Sequence, residues 1–298
     1  MSSKIVITGG AGFIGSHLAR LLTAKGAEVV VFDSLLSGSR TNVPEGASVV
    51  EADIRNQDVL AQTFTGADAV VHLAALVSVS ASIREPEETR EVNVRGTENV
   101  FAAARIAGVR RVVYASSAGV YGNDPVLPKT ESMALHPQTP YAESKVENEK
   151  AAARFAAEGL SIGGLRFFNV YGAGQRADHA DASVISRWVQ EAKREEVITI
   201  HGDGSQTRDF VHVSDVASAI ECALRGRVEG VLNIASGTEV SLGNLLEIIR
   251  EIHPIQTKME PPREGDILRS VADISRARAM LGWSPRVLLR DGIRELFI

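Results

Sequence analysis

Cysteine is almost absent. Cys222 is the only one in 298 residues, so no disulfide can close within the chain, and a lone thiol in an apolar run reads as a small buried hydrophobe before a reactive group. No apolar run approaches the ~20 residues that a membrane helix needs. No Lys/Arg block appears, and a net charge of -5 with a pI near 5.9 argues against a nucleic-acid surface. The seven histidines are scattered without metal-ligand spacing, so no metal site is expected. Repeats and low-complexity tracts are missing, and no export signal precedes the first apolar run, which makes a cytoplasmic protein the expectation. What is present is ordinary for a globular chain: 44% hydrophobic and 23% charged residues, enough for one large domain or two with a sizeable core.

The first informative stretch is Lys4-Ile-Val-Ile-Thr-Gly-Gly-Ala-Gly-Phe-Ile-Gly15. Ile5, Val6 and Ile7 read as a buried parallel strand, the glycines as a tight turn, and residues 16–25 as a helix. Gly9 allows the sharp turn, Gly12 lets a pyrophosphate approach the backbone, and Gly15 lets the helix pack close to the strand. Such a turn presents helix N–H groups to a phosphate. A second strand, Glu28-Val-Val-Val-Phe32, ends in Asp33, eighteen positions after Gly15. A carboxylate there suits the free ribose 2'-hydroxyl of NAD and repels the 2'-phosphate of NADP; Arg40 nearby is the one feature that would favour the phosphate.

The chain continues in the same alternation. Residues 47–50 read as a third strand leading to Asp53 and Ile54, where Asp53 either faces the adenine end of a dinucleotide or caps the next helix. Residues 69–75 read as a fourth strand ending in small residues, with His72 a packed strand histidine rather than a catalyst. A long helix is expected over 86–107, and a fifth strand over 111–115 that ends in Ser116-Ser117-Ala-Gly-Val-Tyr-Gly122. Strand, crossover and strand recur with no all-β block. The expected fold is therefore α/β, a doubly wound parallel sheet covered on both faces.

Tyr141-Ala-Glu-Ser-Lys145 then enters an alanine-rich helix running to about residue 158, and residues four apart share a helix face. A phenol with a reference pKa of about 10 is a poor base at neutral pH, but a neighbouring ammonium and an oxidised nicotinamide both stabilise its phenolate. Ser117, at a strand end facing the same cleft, can hydrogen-bond a substrate oxygen. Ser117, Tyr141 and Lys145 are the candidate catalytic residues. Farther on, residues 183–194, 213–224 and 241–252 read as helices, 230–235 as a strand and 273–281 as a short helix, with Trp283 in core packing.

At this point the sequence resembles the extended short-chain dehydrogenase/reductases, specifically the NAD-dependent epimerase/dehydratase family that acts on nucleotide sugars. The resemblance is carried in order by Thr8 to Gly15, Asp53-Ile54, His72-Leu-Ala-Ala75, Asn93-Val-Arg-Gly-Thr97, Ser116 to Gly122, Tyr141 to Lys145, Arg166-Phe-Phe-Asn-Val-Tyr-Gly172, Gly202 to Val213 and Arg263-Glu-Gly-Asp266. It implies a Rossmann domain over residues 1–170 that holds NAD. It also implies a smaller C-terminal α/β substrate domain over 171–298, some of whose segments return to the Rossmann sheet. The implied cofactor contacts are Gly9, Gly12, Phe13, Ile14, Gly15, Asp33, Ser37, Gly38, Asp53, Ile54, Leu73, Ala74, Ala75, Asn93, Tyr141, Lys145 and Phe168. On the substrate side Ser117 meets the sugar, Asn169 the sugar-side phosphate, Arg208 and Arg263 the diphosphate, and Asp266 the uridine ribose. Gln175, Ser183, Thr199, His201 and Ser270 complete that set. Two guanidiniums suit a dianionic diphosphate, although Arg208 has a salt bridge to Asp209 or Asp203 as its alternative.

The two residues after Ser117 speak to the reaction. Dehydratases that resemble this chain carry Asp-Glu there, and the nucleotide-sugar decarboxylases commonly carry Glu at the second position; Ala118-Gly119 can move no proton. That implies a 4-epimerase acting on a UDP-sugar. In epimerases that resemble this chain the position of Ser270 walls the C2 side of the sugar, and a small residue there leaves room for an N-acetyl group, so the resemblance admits both UDP-glucose/UDP-galactose and UDP-GlcNAc/UDP-GalNAc. Arg176 opens UDP-glucuronate as a further alternative, or else is a solvated loop residue. A net oxidoreductase is the rival enzyme class and an NAD-sensing regulator the non-enzyme one. The regulators lose the tyrosine or the lysine, both of which stand here. The resemblance also implies a homodimer paired through the helices at 86–107 and 141–158.

Overall fold

The computed structural model describes residues 3–177, 182–262 and 267–298. Six strands come in the first part of the chain: β1 (Lys4–Thr8), β2 (Glu28–Asp33), β3 (Ser48–Glu51), β4 (Ala69–His72), β5 (Arg111–Ser117) and β6 (Ile162–Phe167). Seven follow: β7 (Asn169–Tyr171), β8 (Ile198–His201), β9 (Thr207–Arg208), β10 (Phe210–His212), β11 (Gly230–Ile234), β12 (Val240–Ser241) and β13 (Thr257–Glu260). The main sheet runs β11-β6-β5-β4-β1-β2-β3, and its neighbouring strands pair in parallel. It is the expected doubly wound sheet. The strand order reverses between β1 and β4, and the crevice beyond the carboxyl ends of the strands at that reversal is where such sheets bind ligands.

Alternation along the strands builds two cores. Ile5, Ile7, Val29 and Val31 pack on one face under Leu18 and Leu22 of the helix Phe13–Ala24 and Val216 and Ile220 of the helix Val213–Arg225. Val6, Val30 and Phe32 pack on the other face under Leu60, Phe64, Val100, Phe101 and Phe155. Each such side chain contributes about 1.5–3 kcal/mol when fully buried. A third core joins Ile185 and Trp188 to Ile198, Ile200, Phe210, Leu245, Ile249 and Ile293. Between them β11 carries the chain back to the edge of the large sheet beside β6. Trp283 is buried, its Nε1 donating to Asp215 O at 3.1 Å and Ser218 Oγ at 2.9 Å, which is the core packing expected of it.

Several elements differ from the sequence reading. The helix expected over 86–107 widens into a π turn at Glu91–Arg95, between Pro86–Arg90 and Gly96–Ile106. Within that turn Asn93 bonds both backbone groups of Leu76; Gly96, just after it, lies so close to Ile54 that a Cβ there would sit 2.6 Å from Ile54 Cδ1. The strand expected over 69–75 stops at His72, and residues 73–75 become the wall of the cleft. Strand β6 was not foreseen because Gly163 and Gly164 dilute its apolar signal; both are needed because a Cβ would meet Val228 at 2.5 Å or the Tyr114 ring at 2.6 Å. Among the described residues no helix is long and apolar enough to cross a membrane.

The glycine turn fits its sequence reading in detail. Gly9 has φ +72° and presses against the backbone of Leu73 and Ala74, while a Cβ on Gly15 would lie 2.2 Å from the Gly9 carbonyl. A Cβ on Gly12 would meet only that carbonyl, at 3.2 Å, so its other side is open to the cleft. Gly15→Ala is therefore expected to lose about 1–3 kcal/mol or more of stability in dinucleotide-free protein. Gly12→Ala should stay within about 0.5 kcal/mol yet bind dinucleotide poorly. Urea unfolding beside a cofactor titration checks this, and equal stability losses would contradict it.

Candidate active site

Two cavities meet at the carboxyl edge of the sheet. The larger, about 420 Å³, is lined by Gly9, Gly12, Phe13, Ile14, Gly15, Asp33, Ser37, Asp53, Ile54, Leu73, Ala74 and Ala75, and ends at Ser117, Tyr141, Lys145 and Phe168. The smaller, about 140 Å³, is lined by Ser117, Ala118, Gly119, Lys129, Phe168, Asn169, Arg208, Arg269 and Ser270, among others. Ser117, Phe167 and Phe168 belong to both.

At the large cavity the helix Phe13–Ala24 starts at Gly12 with no acidic residue in its first turn, so its free N–H groups face the cleft unopposed. Asp33 fastens the turn: Oδ2 accepts from Ala11 N and Oδ1 from Leu35 N, both at 2.9 Å. A carboxylate has about four acceptor positions, so two remain for a ribose hydroxyl. Arg40 instead pairs with Glu51 at 2.7 Å. Asp53 is held by Arg55, whose guanidinium keeps the carboxyl below its ordinary value. The turn that Cβ atoms would fill and the free N–H groups fit the diphosphate of a dinucleotide. Gly38 and Asn93 do not line the cavity. Gly38 packs under Ala11, and Asn93, wholly buried, fixes the loop after β4 through Leu76.

The catalytic candidates lie where the cavities join. Thr139 caps the helix Pro140–Ala157, accepting from Ala142 N at 3.2 Å, and so sets Tyr141 and Lys145 in its first turns. Lys145 Nζ donates to Ala115 O at 3.1 Å and lies 5.6 Å from the centroid of the Tyr141 ring. Burial pushes the Tyr141 phenol above its ordinary value, while Ser117 beside it works the other way. Burial brings Lys145 down to about 8, with Glu149 opposing. His72 is packed as expected. Thr97 Oγ1 donates to Asn93 O at 2.6 Å, so it accepts from His72 Nε2, leaving Nδ1 to accept from Thr8 Oγ1 at 2.7 Å. Burial, then Lys145, holds His72 down to about 3, and it is neutral at working pH.

The expected substrate residues divide. Asn169, Arg208 and Ser270 line the smaller cavity with Ser117. Arg208 Nη1 donates to Thr207 O at 2.8 Å and Ile267 O at 2.6 Å. Asp209, wholly buried, spends its carboxylate on Ser236 N and Oγ, Gly237 N and Ala272 N, and so anchors the segment that carries Ser270. Gln175 lines the larger cavity rather than the smaller, its Oε1 accepting from Ser183 Oγ at 2.8 Å. Ser183, Thr199 and His201 line neither. Ser183 caps the helix Val184–Lys193, and Thr199 and His201 lie on β8, paired with Lys258 and Glu260 of β13. Arg176 is exposed and lines neither cavity. Arg263 and Asp266 lie outside the described residues.

Sequence reasoning missed Lys129 and Arg269, which line the smaller cavity from loops with no motif. It also missed a buried network behind the helix Pro140–Ala157. Glu149 accepts from Ser116 Oγ at 2.6 Å and from Arg166 Nε at 2.8 Å, and Arg166 Nη1 donates to Tyr121 Oη at 2.8 Å. Glu149, four residues after Lys145, was open to the helical-spacing argument that found Lys145.

Residues 5–235 match the model of the NAD dependent epimerase/dehydratase family, and the chain belongs to that family. A putative UDP-glucose 4-epimerase of Methanocaldococcus jannaschii is 37% identical over 300 residues, spanning 98% of this chain and 96% of its own. Among solved structures, the UDP-glucose 4-epimerase of Thermotoga maritima with UDP-glucose matches at TM-score 0.95 and 34% identity, covering 99% of this chain and 97% of its own. The UDP-N-acetylglucosamine 4-epimerase of Methanobrevibacter ruminantium in complex with UDP-N-acetylmuramic acid matches at TM-score 0.96 and 33% identity, covering 100% and 98%.

The lowered Lys145 value has a consequence for stability. With a folded value of about 8 against the ordinary 10.5, the unfolded chain holds the proton more tightly, so this residue adds stability as pH rises between those values. In dinucleotide-free protein the gain is expected to be roughly 2 kcal/mol between about pH 7.5 and pH 9.5. Urea unfolding at the two pH values measures it; Lys145→Met should remove the gain, and an unchanged slope in that variant would rule the assignment out.

Proposed function

We propose that the protein is an NAD-dependent 4-epimerase of a UDP-sugar. The observation that carries the reading is the junction: Ser117 lines both cavities, Tyr141 and Lys145 close one of them, and the residues after Ser117, Ala118 and Gly119, bring no second acid or base to the sugar. Residues 1–170 hold the dinucleotide and most of 171–298 the nucleotide sugar. Bound NAD supplies an acceptor that takes hydride from C4 and returns it to the opposite face. Tyr141 takes the proton of the C4 hydroxyl and later gives it back, with the Lys145 ammonium stabilising the phenolate. Ser117 holds the same oxygen. Arg208, together with Arg263, grips the diphosphate, so the 4-keto sugar can turn between the two half-reactions without leaving. The small side chains at 118, 119 and 270 leave room for that turn.

The redox balance is zero over the cycle, which favours retained cofactor and separates this reading from a net oxidoreductase. Pairing of two copies through the helices Gly96–Ile106 and Pro140–Ala157, and a cytoplasmic location, belong to the same proposal.

Purified protein is expected to interconvert at least one UDP-sugar with its 4-epimer without added NAD. Tyr141→Phe should lower kcat by roughly 10²–10⁴ while UDP-sugar affinity changes a few-fold. Chromatography of products and calorimetry of binding measure the two. Turnover that survives intact in the variant, or that requires stoichiometric added cofactor, would overturn the mechanism.

A further inference from the structure

The sugar-side cavity contains a cation that the epimerase chemistry does not use. Lys129 lies twelve residues beyond Ser117, is only 3% exposed, and lines the cavity with Ala118, Gly119 and Ser270. Burying an ammonium costs several kcal/mol unless it is well paired. The pairing of Lys129 is partial: Nζ donates to the backbone carbonyl of Asp124, and the Asp124 carboxylate stands 3.7 Å away, beyond hydrogen-bond reach. An ammonium carries three donors, so two remain beyond the bond to the Asp124 carbonyl.

The frame around this lysine is rigid. Lys129 N donates to Val271 O at 2.8 Å, and its carbonyl accepts from Asp273 N and from Asn233 Nδ2, both at 2.9 Å. It is thereby locked beside Ser270, and Asp209 fastens the same segment through Ala272 N at 3.1 Å. A donor held in advance loses little entropy when it meets its acceptor.

Charge balance bears on which group would complete the pairing of Lys129. The described lining of the cavity includes Lys129, Arg208 and Arg269 and no Asp or Glu. Arg269 is bound by both oxygens of Glu239 at 2.7 Å, and Arg208 is taken by the diphosphate in the proposed function. We infer that the sugar itself carries a carboxylate, that the substrate is a UDP-hexuronate, and that Lys129 is the residue that selects it. The C5 carboxylate of a hexuronate is attached next to C4, the carbon that Ser117 and Tyr141 address, and Ser117 shares the cavity with Lys129. This inference rests on the epimerase reading of the same site.

The test compares kcat/KM for UDP-glucuronate, UDP-glucose, UDP-GlcNAc and UDP-N-acetylmuramate in the wild-type chain, Lys129→Met and Lys129→Arg. Wild type is expected to prefer UDP-glucuronate to UDP-glucose by tenfold or more. A hydrogen bond to a charged group corresponds to roughly 10–100-fold, so Lys129→Met should lose about that factor on UDP-glucuronate, chiefly in KM. Its loss on UDP-glucose should be at least tenfold smaller, and Lys129→Arg should recover part of the preference. Equal losses on both sugars would make Lys129 a packing residue, and a loss confined to UDP-N-acetylmuramate would place the carboxylate on a C3 substituent; either overturns the assignment. If Lys129→Met does not fold, Lys129→Gln and the wild-type preference carry the test. If the wild type epimerises nothing, the epimerase reading fails, and calorimetry of UDP-glucuronate against UDP-glucose still decides whether the cavity prefers a carboxylate.

Discussion

The approach of Gly15 to the carbonyl of Gly9, so close that a single Cβ would stand 2.2 Å away, is the constraint on which the site depends. It seats the helix Phe13–Ala24 directly on the end of β1, with Gly9 turning at φ +72° against Leu73 and Ala74. Asp33 then ties Ala11 to the end of β2. Three neighbouring strand ends are thereby fixed to one another. The floor of the large cavity is the result, with helix N–H groups and one carboxylate in place.

Electrostatics at the junction follow from burial. Tyr141 and Lys145 are both taken out of water, which raises the phenol and lowers the ammonium. Each shift favours the neutral form of its group: the two ordinary values, 10.0 and 10.5, nearly coincide, and burial moves them apart, so a phenolate at this site depends on the charges brought beside it. Glu149 holds Lys145 toward its charged form while itself bound to Arg166 and Ser116. That arrangement couples the helix Pro140–Ala157 to β5 and β6 through polar bonds in addition to apolar packing.

Legibility in the sequence tracked the locality of the physics. The glycine turn, Asp33 and the Tyr141/Lys145 spacing were readable because a backbone turn, a strand end and a helix face are each set within a few residues. Ser270 and Asn169 were found through the resemblance, and the structure places both on the smaller cavity. Asn93 and Gly38 were expected on the cofactor but do not line the large cavity; they brace the segments around it through Leu76 and Ala11, because tertiary contacts decide which side of a segment faces a cleft. Thr199 and His201 sit on a strand pair away from both cavities. Strand β6 escaped notice because Val228 and Tyr114 crowd it from elsewhere in the chain and require glycine where a strand would show valine.

The sequence by itself determined the parallel doubly wound sheet, the glycine turn and the shared helix face of Tyr141 and Lys145, since each is written in local periodicity, in side-chain size or in a fixed short spacing. Only the tertiary structure decided the sugar cavity. Its walls come from residues 117–119, 121–122, 129, 167–169, 208, 267 and 269–270, segments far apart in the chain whose side chains have no meaning to one another until they share a space. The partly paired Lys129 belongs to that class, because whether an ammonium is solvated or buried depends on the packing around it and not on its neighbours in sequence.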